Sequence, residues 1–476
     1  MLKDKFHGLI LIIFILAFSM VAIITGVNVP FAIFFLYAAL CYLISFRIKF
    51  KRFYILLFLF AFFIRLAYIL WVNTPPESDF KLLFDAALDY ARGDYSFNET
   101  YYFKDWAYQT GFVIYEGTVI KFVGAINAEL VLKILNALFS SATCLLVYII
   151  LKSFVSESVS RFSALLCVGL LFPLTFVTVL SNQHISTFFL LLGLLLVTDK
   201  NLKLHGIIRG LLAGLALALG NIMRPEGIVL IAALLLYFVL SFIKPGEEAR
   251  RGIVTKALIL FIIYFGVNFF ASQIIIEKGI NPEGLRNNNT LWKFVVGLNF
   301  DSKGSYSIKD YNHIYNQNLT VKKRNDLELS IIKERLQMGA KKSLSLFVNK
   351  QFMLWGGDPL IWSYRFLENT KPSFKVLAIE LPFDKVINLA WGYHNLQIFV
   401  ILTLSIMGAI FKIKAPMNQQ LIIYYLILLA SVSVYLFTEV QPRYIYLQEF
   451  VLLITAAKGI EVIVDWVSLI PKASKT

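Results

Sequence analysis

The chain has 476 residues, of which 58% are hydrophobic, 15% aromatic and only 16% charged, and its mean hydropathy is +0.71. That apolar share excludes a water-soluble globule, while ordinary Gly and Pro numbers and three cysteines exclude a disordered chain, a collagen-like rod and a disulfide scaffold. The net charge of +15 would suit a nucleic-acid binder, but its distribution along the chain gives it another meaning.

A helix crossing the bilayer core needs about 20 mainly apolar residues, and about twelve stretches meet that description. They lie near 8–26, 29–46, 53–72, 131–151, 161–181, 184–198, 206–221, 227–243, 257–276, 392–411, 419–437 and 445–465. The stretch 184–198 is the shortest and is a candidate re-entrant segment. Cys41, Cys144 and Cys167 all fall inside such stretches, where a thiol behaves as a small hydrophobe.

Positive charge resists translocation, so Lys and Arg in short connections report sidedness. With Lys3 and Lys5 on the cytoplasmic side, every second connection is basic: Arg47 to Arg52, Lys152 with Arg161, Lys200 to Arg209, Lys244 to Lys256, Lys412 with Lys414, then Lys472 with Lys475. The alternate short connections carry at most one basic residue. The basic balance is therefore topology, and both termini are expected in the cytoplasm. The expected organisation is an N-terminal hairpin (1–52), a transmembrane core (53–276) with a first outer loop (73–130), a large outer loop (277–390) and C-terminal spans with a short tail (391–476). The fold class is an all-α polytopic membrane protein with amphipathic helices in both outer loops.

Polar residues collect in those outer connections. Glu77, Ser78 and Asp79 open a stretch in which Phe80, Leu83, Phe84, Ala87, Leu88 and Ala91 recur at helical spacing, with Asp85, Asp89 and Arg92 opposite and Gly93 as the stop. This predicts an amphipathic helix from Ser78 to Gly93 lying along the membrane. Asp79 reads either as a first-turn carboxylate favoured by the helix dipole or as a general base facing a cavity. Arg65, inside the preceding span, either snorkels to the interface or points into the bundle toward Asp79 or a phosphate. Arg224-Pro225-Glu226-Gly227 and Glu439-Val-Gln441-Pro442-Arg443-Tyr444 form two further outer turns, while Asn182, Gln183 and His184 form a third. Each reads alone as an ordinary capped turn. Glu449, deeper in the last span, needs a partner or a wet cavity. Lys350, on an amphipathic stretch of the large loop, is either a headgroup contact or a phosphate ligand.

All these turns map to one membrane face, whereas a transporter more naturally places ionisable groups at mid-depth on broken helices within related halves. Arginines and a carboxylate on one face suit a reaction on a lipid-linked phosphate: the guanidinium holds the phosphate by paired donors and the acid takes a proton from an attacking hydroxyl. His/Cys metal clusters and nucleotide-binding glycine loops are absent from the sequence, so no cofactor and no metal are expected.

In order and sidedness the chain resembles the C-type membrane glycosyltransferases, in particular the dolichyl-phosphate-mannose-protein mannosyltransferase-like and aminoarabinose-transferase-like group. The residues that carry the resemblance are Arg65-Leu66, Ser78-Asp79-Phe80, Ala86-Ala87 with Gly93, Arg224-Pro225-Glu226-Gly227, Gly297-Leu298-Asn299 with Gly304, and Glu439-x-Gln441-x-Arg443-Tyr444, across roughly 53–465. The resemblance implies Asp79 as catalytic base, with Arg443, Arg224, Arg65 and Lys350 at the phosphate of a polyprenyl-linked sugar. Glu77, Asp85, Gln183, His184, Glu226, Glu439, Gln441 and Tyr444 would serve the acceptor or support the site. It also implies an inverting transfer to an envelope glycan, glycolipid or protein at the extracytoplasmic face of the plasma membrane. The pattern departs from the group in the extra hairpin 1–52 and in Gln183-His184, where relatives often carry an acid. A flippase of lipid-linked saccharides and an O-antigen ligase or polymerase are the alternatives.

Overall fold

A computed structural model describes residues 31–48, 51–199, 201–243, 247–317, 319–364, 373–376, 379–412 and 419–473. The expected first span, 8–26, lies outside the described residues, as do Lys3, Lys5, Lys200, Lys244, Lys414 and Lys475. In chain order the helices are α1 (Phe31–Arg47), α2 (Phe53–Trp71), α3 (Ser78–Arg92), α4 (Tyr101–Asp105), α5 (Thr110–Val123), α6 (Ala125–Leu151), α7 (Glu157–Val168), α8 (Leu171–Thr175), α9 (Gln183–Thr198), α10 (Gly206–Met223), α11 (Gly227–Phe242) and α12 (Glu247–Glu277). The large loop contributes α13 (Thr290–Gly297), α14 (Ile308–Tyr315), α15 (Val321–Leu336), α16 (Ala340–Trp355) and α17 (Ile361–Tyr364). The chain then continues through α18 (Phe383–Lys412), α19 (Gln419–Phe437) and α20 (Tyr446–Ala473).

Among the described residues six helices are long and apolar enough to cross a membrane, or seven if the bent pair α7–α8 counts as one span, so six or seven of the about twelve expected stretches meet that test. The stretches beginning at 29, 184 and 227 form apolar helices too short for that test, and hydropathy alone does not separate a short buried helix from a full span. The fold is also not purely helical. Strands Ser373–Val376 and Ile379–Pro382 pair antiparallel, Ser373 opposite Pro382, inside the large loop.

The expected span 161–181 breaks at Gly169, and the helix axis bends by 52°. A glycine is required there because a Cβ would stand 2.5 Å from the Tyr37 ring. A broken helix in an apolar bundle exposes backbone groups that must be paired. The Gln397 side chain of α18 satisfies both: its amide donates to Gly169 O (2.6 Å) and its carbonyl accepts from Leu171 N (3.0 Å). Elsewhere small residues let backbones meet. Gly210 and Gly214, one turn apart on α10, seat α12, and a Cβ on Gly214 would lie 2.6 Å from Leu260 O. These contacts hold the chain ends of α9–α10 and α11–α12 in register, which places the connecting turns.

The amphipathic helix expected at Ser78 to Gly93 forms as α3. Phe80, Leu83, Ala86 and Ala87 are its buried face, and Gly93 ends it in the left-handed conformation (φ 82°) that lacks a Cβ penalty. Glu77 stands at the N-cap in extended backbone, and Ser78 follows with φ 53°, an uncommon value for a residue with a side chain. This sharp entry aims Asp79 at the loop face of the bundle rather than along the chain.

Candidate active site between the helix ends

Three sequence-distant segments meet on the loop face. The first is the start of α3 with Asp79. The second is the α10–α11 turn with Arg224, Pro225 and Glu226. The third is the 3-10 turn Pro442–Ile445 between α19 and α20. Together with α13 they line one cavity of about 420 Å³, which Asp79, Arg224, Glu226, Glu439, Gln441, Arg443 and Tyr444 all reach.

Arg443 is 8% exposed, yet its guanidinium is not sealed. Its charged carbon lies 4.5 Å from the Trp362 ring centre and 5.1 Å from that of Phe80, so two aromatic faces fix the plane. Nε donates to Gln441 Oε1 (2.8 Å) and one terminal nitrogen donates to Asp79 Oδ2 (3.3 Å). The Asp79 side chain is 44% exposed, so this long ion pair leaves carboxylate oxygen available to the cavity. Gln183 supports the turn from beneath by donating to Arg443 O (2.6 Å). Arg224 pairs with Glu226, donates to Asn182 Oδ1 (3.3 Å) and stands 5.5 Å from the Tyr444 ring centre.

Glu439 is 4% exposed and would be costly as an isolated anion. Its partners are Lys293 of α13, Gln441 Nε2 (3.0 Å) and the Tyr444 hydroxyl (3.2 Å). Burial alone would raise the Glu439 carboxyl, but the Lys293 ammonium overrides it and holds the group below its ordinary range. Burial likewise opposes the charge on Lys293, and Glu439 reverses this, holding the amine well above the ordinary lysine value. Glu439 is thereby kept as an anion already neutralised, which fits a structural brace for Gln441 and Tyr444 better than a proton acceptor.

Several residues expected at the site are elsewhere. Arg65 is fully buried inside the bundle and donates to Ser140 Oγ (2.9 Å), Ala61 O (3.1 Å) and Cys144 Sγ (3.5 Å). It neither snorkels nor reaches Asp79, because its helix turns that face to α6 rather than to the cavity. Lys350 is buried too; its Nζ donates to Gly297 O (2.7 Å) and Leu436 O (2.8 Å), tying α13 to the end of α19 instead of meeting solvent. Burial pushes this amine down to about 7, and a neutral amine keeps two N–H groups for those two carbonyls. Asp85 sits outside with Lys81 (2.6 Å), an i,i+4 surface pair. Glu77 does not line the cavity. His184 is buried one residue past Gln183, its ring nitrogens 2.7 Å from the Tyr446 hydroxyl and 3.1 Å from Phe176 O. Glu449 lies deep in the bundle, its nearest ionisable neighbour His394 of α18 at 3.7 Å, beyond hydrogen-bond distance.

Lys293, Tyr102 and Tyr108, with no expected site role, line the cavity, and Trp362, expected only as an interfacial anchor, stands against Arg443. Lys293 lies on an apolar eight-residue helix and Trp362 on a four-residue one, so neither carried a periodic or charge-pair signal. Among the described residues no group of three or more His, Cys, Asp and Glu side chains is placed to hold a metal ion.

No family model matches the chain, and no curated protein matches it in sequence. Among solved structures the chain is similar to the archaeal oligosaccharyltransferase AglB from Archaeoglobus fulgidus. For the complex with an inhibitory peptide and a dolichol-phosphate the identity is 13% and the TM-score 0.48, over 89% of this chain and 52% of that one. The apo form of the Archaeoglobus fulgidus enzyme gives 13%, 0.49, 89% and 52%. The form tethered to an acceptor peptide containing the NVT sequon gives 13%, 0.49, 88% and 50%. The chain thus spans about half the length of these proteins.

Proposed function

We propose that the protein is a membrane glycosyltransferase that moves a sugar from a polyprenyl-phosphate donor to an envelope acceptor at the extracytoplasmic face. The observation that carries this reading is the meeting of a half-exposed carboxylate, Asp79, with Arg443 and Arg224 around one cavity at the helix ends. In this reading Arg443, its plane set by Trp362 and Phe80, and Arg224 hold the donor phosphate through charge-assisted hydrogen bonds. Asp79 takes the proton from the acceptor's nucleophilic group as that group bonds to the anomeric carbon. The bond from that carbon to the phosphate oxygen breaks, and the electron pair leaves with polyprenyl phosphate. The leaving group is an anion from the outset, and fixed guanidinium groups stabilise the charge that grows on it. Attack opposite the phosphate inverts the anomeric centre.

Binding of phosphate frees Asp79 by giving Arg443 a second anionic partner in place of the 3.3 Å contact. The test is transfer of labelled sugar by the full chain in vesicles, comparing wild type with Asp79→Asn. Headgroup movement across the vesicle without bond cleavage would replace the transferase reading with transport.

A further inference from the structure

A second cavity, of about 410 Å³, adjoins the first and shares Tyr108, Pro225 and Ile228 with it. It runs between the C-terminal end of α10, the start of α11 and the last turns of α12. Its walls change character along that depth. Tyr264, Phe265 and Phe269 of α12 line its inner part, roughly 12 to 20 Å from the end of that helix at 1.5 Å per residue. Phe265 and Phe269 are 54% and 57% exposed and Ile228 56%, so the inner part opens sideways toward the surface where α12 would meet lipid. Gln273 and Arg286 line the other end. Among the described residues Arg286 is exposed and its guanidinium makes no ion pair or hydrogen bond, although its carbonyl accepts from Tyr108 N (3.1 Å).

The graded wall, aromatic inside apart from the Asn221–Asn268 amide pair (2.8 Å) and cationic at the rim, has the chemistry of a seat for one amphiphile with an anionic headgroup. It carries its own cation, separate from the two that face the first cavity. In the transferase reading the donor phosphate meets Arg443 and Arg224 in the first cavity, and neither arginine lines the second. We infer that the second cavity seats a second lipid: the acceptor is itself an anionic, membrane-anchored molecule, its chain against Phe265 and Phe269 and its headgroup at Arg286. Tyr108 and Pro225, the shared wall, are then the step over which its nucleophilic group reaches Asp79. This rests on the transferase reading, which places the donor phosphate in the first cavity and makes the second lipid the acceptor.

The experiment is native mass spectrometry of the full chain released from detergent, with phosphatidic acid and polyprenyl phosphate as probes and phosphatidylcholine as control. Wild type is expected to hold one of each anionic lipid together. Arg286→Glu and, separately, Gln273→Trp, which fills the rim, are expected to lower phosphatidic acid occupancy about ten-fold and leave polyprenyl phosphate unchanged. Mutual exclusion of the two anionic lipids, or loss of polyprenyl phosphate in Arg286→Glu, would overturn the inference and give the cavity to the donor's own chain. Equal binding of phosphatidylcholine and phosphatidic acid would reduce it to ordinary lipid contact. Asp79→Asn separates the two levels. If it abolishes transfer while both lipids still bind, both readings hold; if transfer persists while both bind, only the role of Asp79 falls.

Discussion

Arg65 and Arg443 are both arginines with little exposure, and they sit in opposite kinds of surroundings. Arg65 has neutral partners only, a hydroxyl, a carbonyl and a thiol, inside a closed bundle. Arg443 has one edge on a carboxylate, one on an amide and two mutually perpendicular aromatic rings packed against it, with a cavity in front. Burial therefore does not distinguish a working cation from a packing one. What separates them is whether a polar edge remains turned to space that a ligand can enter.

The largest expected effect breaks the comparison at its centre. Asp79→Asn should lower transfer by at least about 100-fold, the lower end of general-base contributions, with unchanged abundance in the membrane. Transfer near the wild-type level would remove Asp79 from the base role. Next, Arg443→Ala should raise the donor KM by roughly 30-fold, the equivalent of about 2 kcal/mol for a charged hydrogen bond, and Arg443→Lys by less because it keeps charge without the fork. Equal losses in the two would mean that charge alone contributes nothing and that the planar guanidinium with its fork is what matters.

Arg65→Met should behave in the opposite way, because replacing a buried ion with an apolar residue of similar length is often neutral. Transfer per folded molecule should stay within about three-fold, and thermal stability should change by less than about 2 kcal/mol. Loss of transfer without loss of stability would bring Arg65 back into the site. The smallest effect concerns pH. Unfolded, Lys350 keeps its proton to near 10.5, whereas folded it gives it up near 7, so between those values the unfolded state binds more protons. Stability should consequently rise as pH rises from about 7 toward 10, and Lys350→Met should flatten that slope in thermal unfolding.

The membrane character and the α3 helix were legible because long apolar runs and 3.6-residue spacing are local signals. The segments that meet at the cavity were legible as a set of turns on one face. Their individual roles were not, since Arg65 and Arg443 look alike until the helix rotation is known. Lys350 was misjudged for a related reason: an amphipathic pattern shows which face is polar but not that a polar side chain will be spent on another helix's carbonyls. The break at Gly169 was hidden in an unbroken apolar run, because Gln397, which satisfies it, comes more than two hundred residues later. The span count was legible only in part, because short apolar helices and full-length ones share the same hydropathy.

The large loop is stitched to the turn that bears Arg443 through main-chain groups. Glu439 N donates to Lys293 O (2.8 Å), Val440 N donates to Gly304 O (2.9 Å), and Lys350 closes the seam from the other side. Gly297 lies so near that a Cβ there would stand 2.3 Å from Phe437 O. A flap hinged at this seam would have to tear its own floor with it. Opening the chamber at this seam would therefore cost these main-chain bonds and both Lys350 contacts.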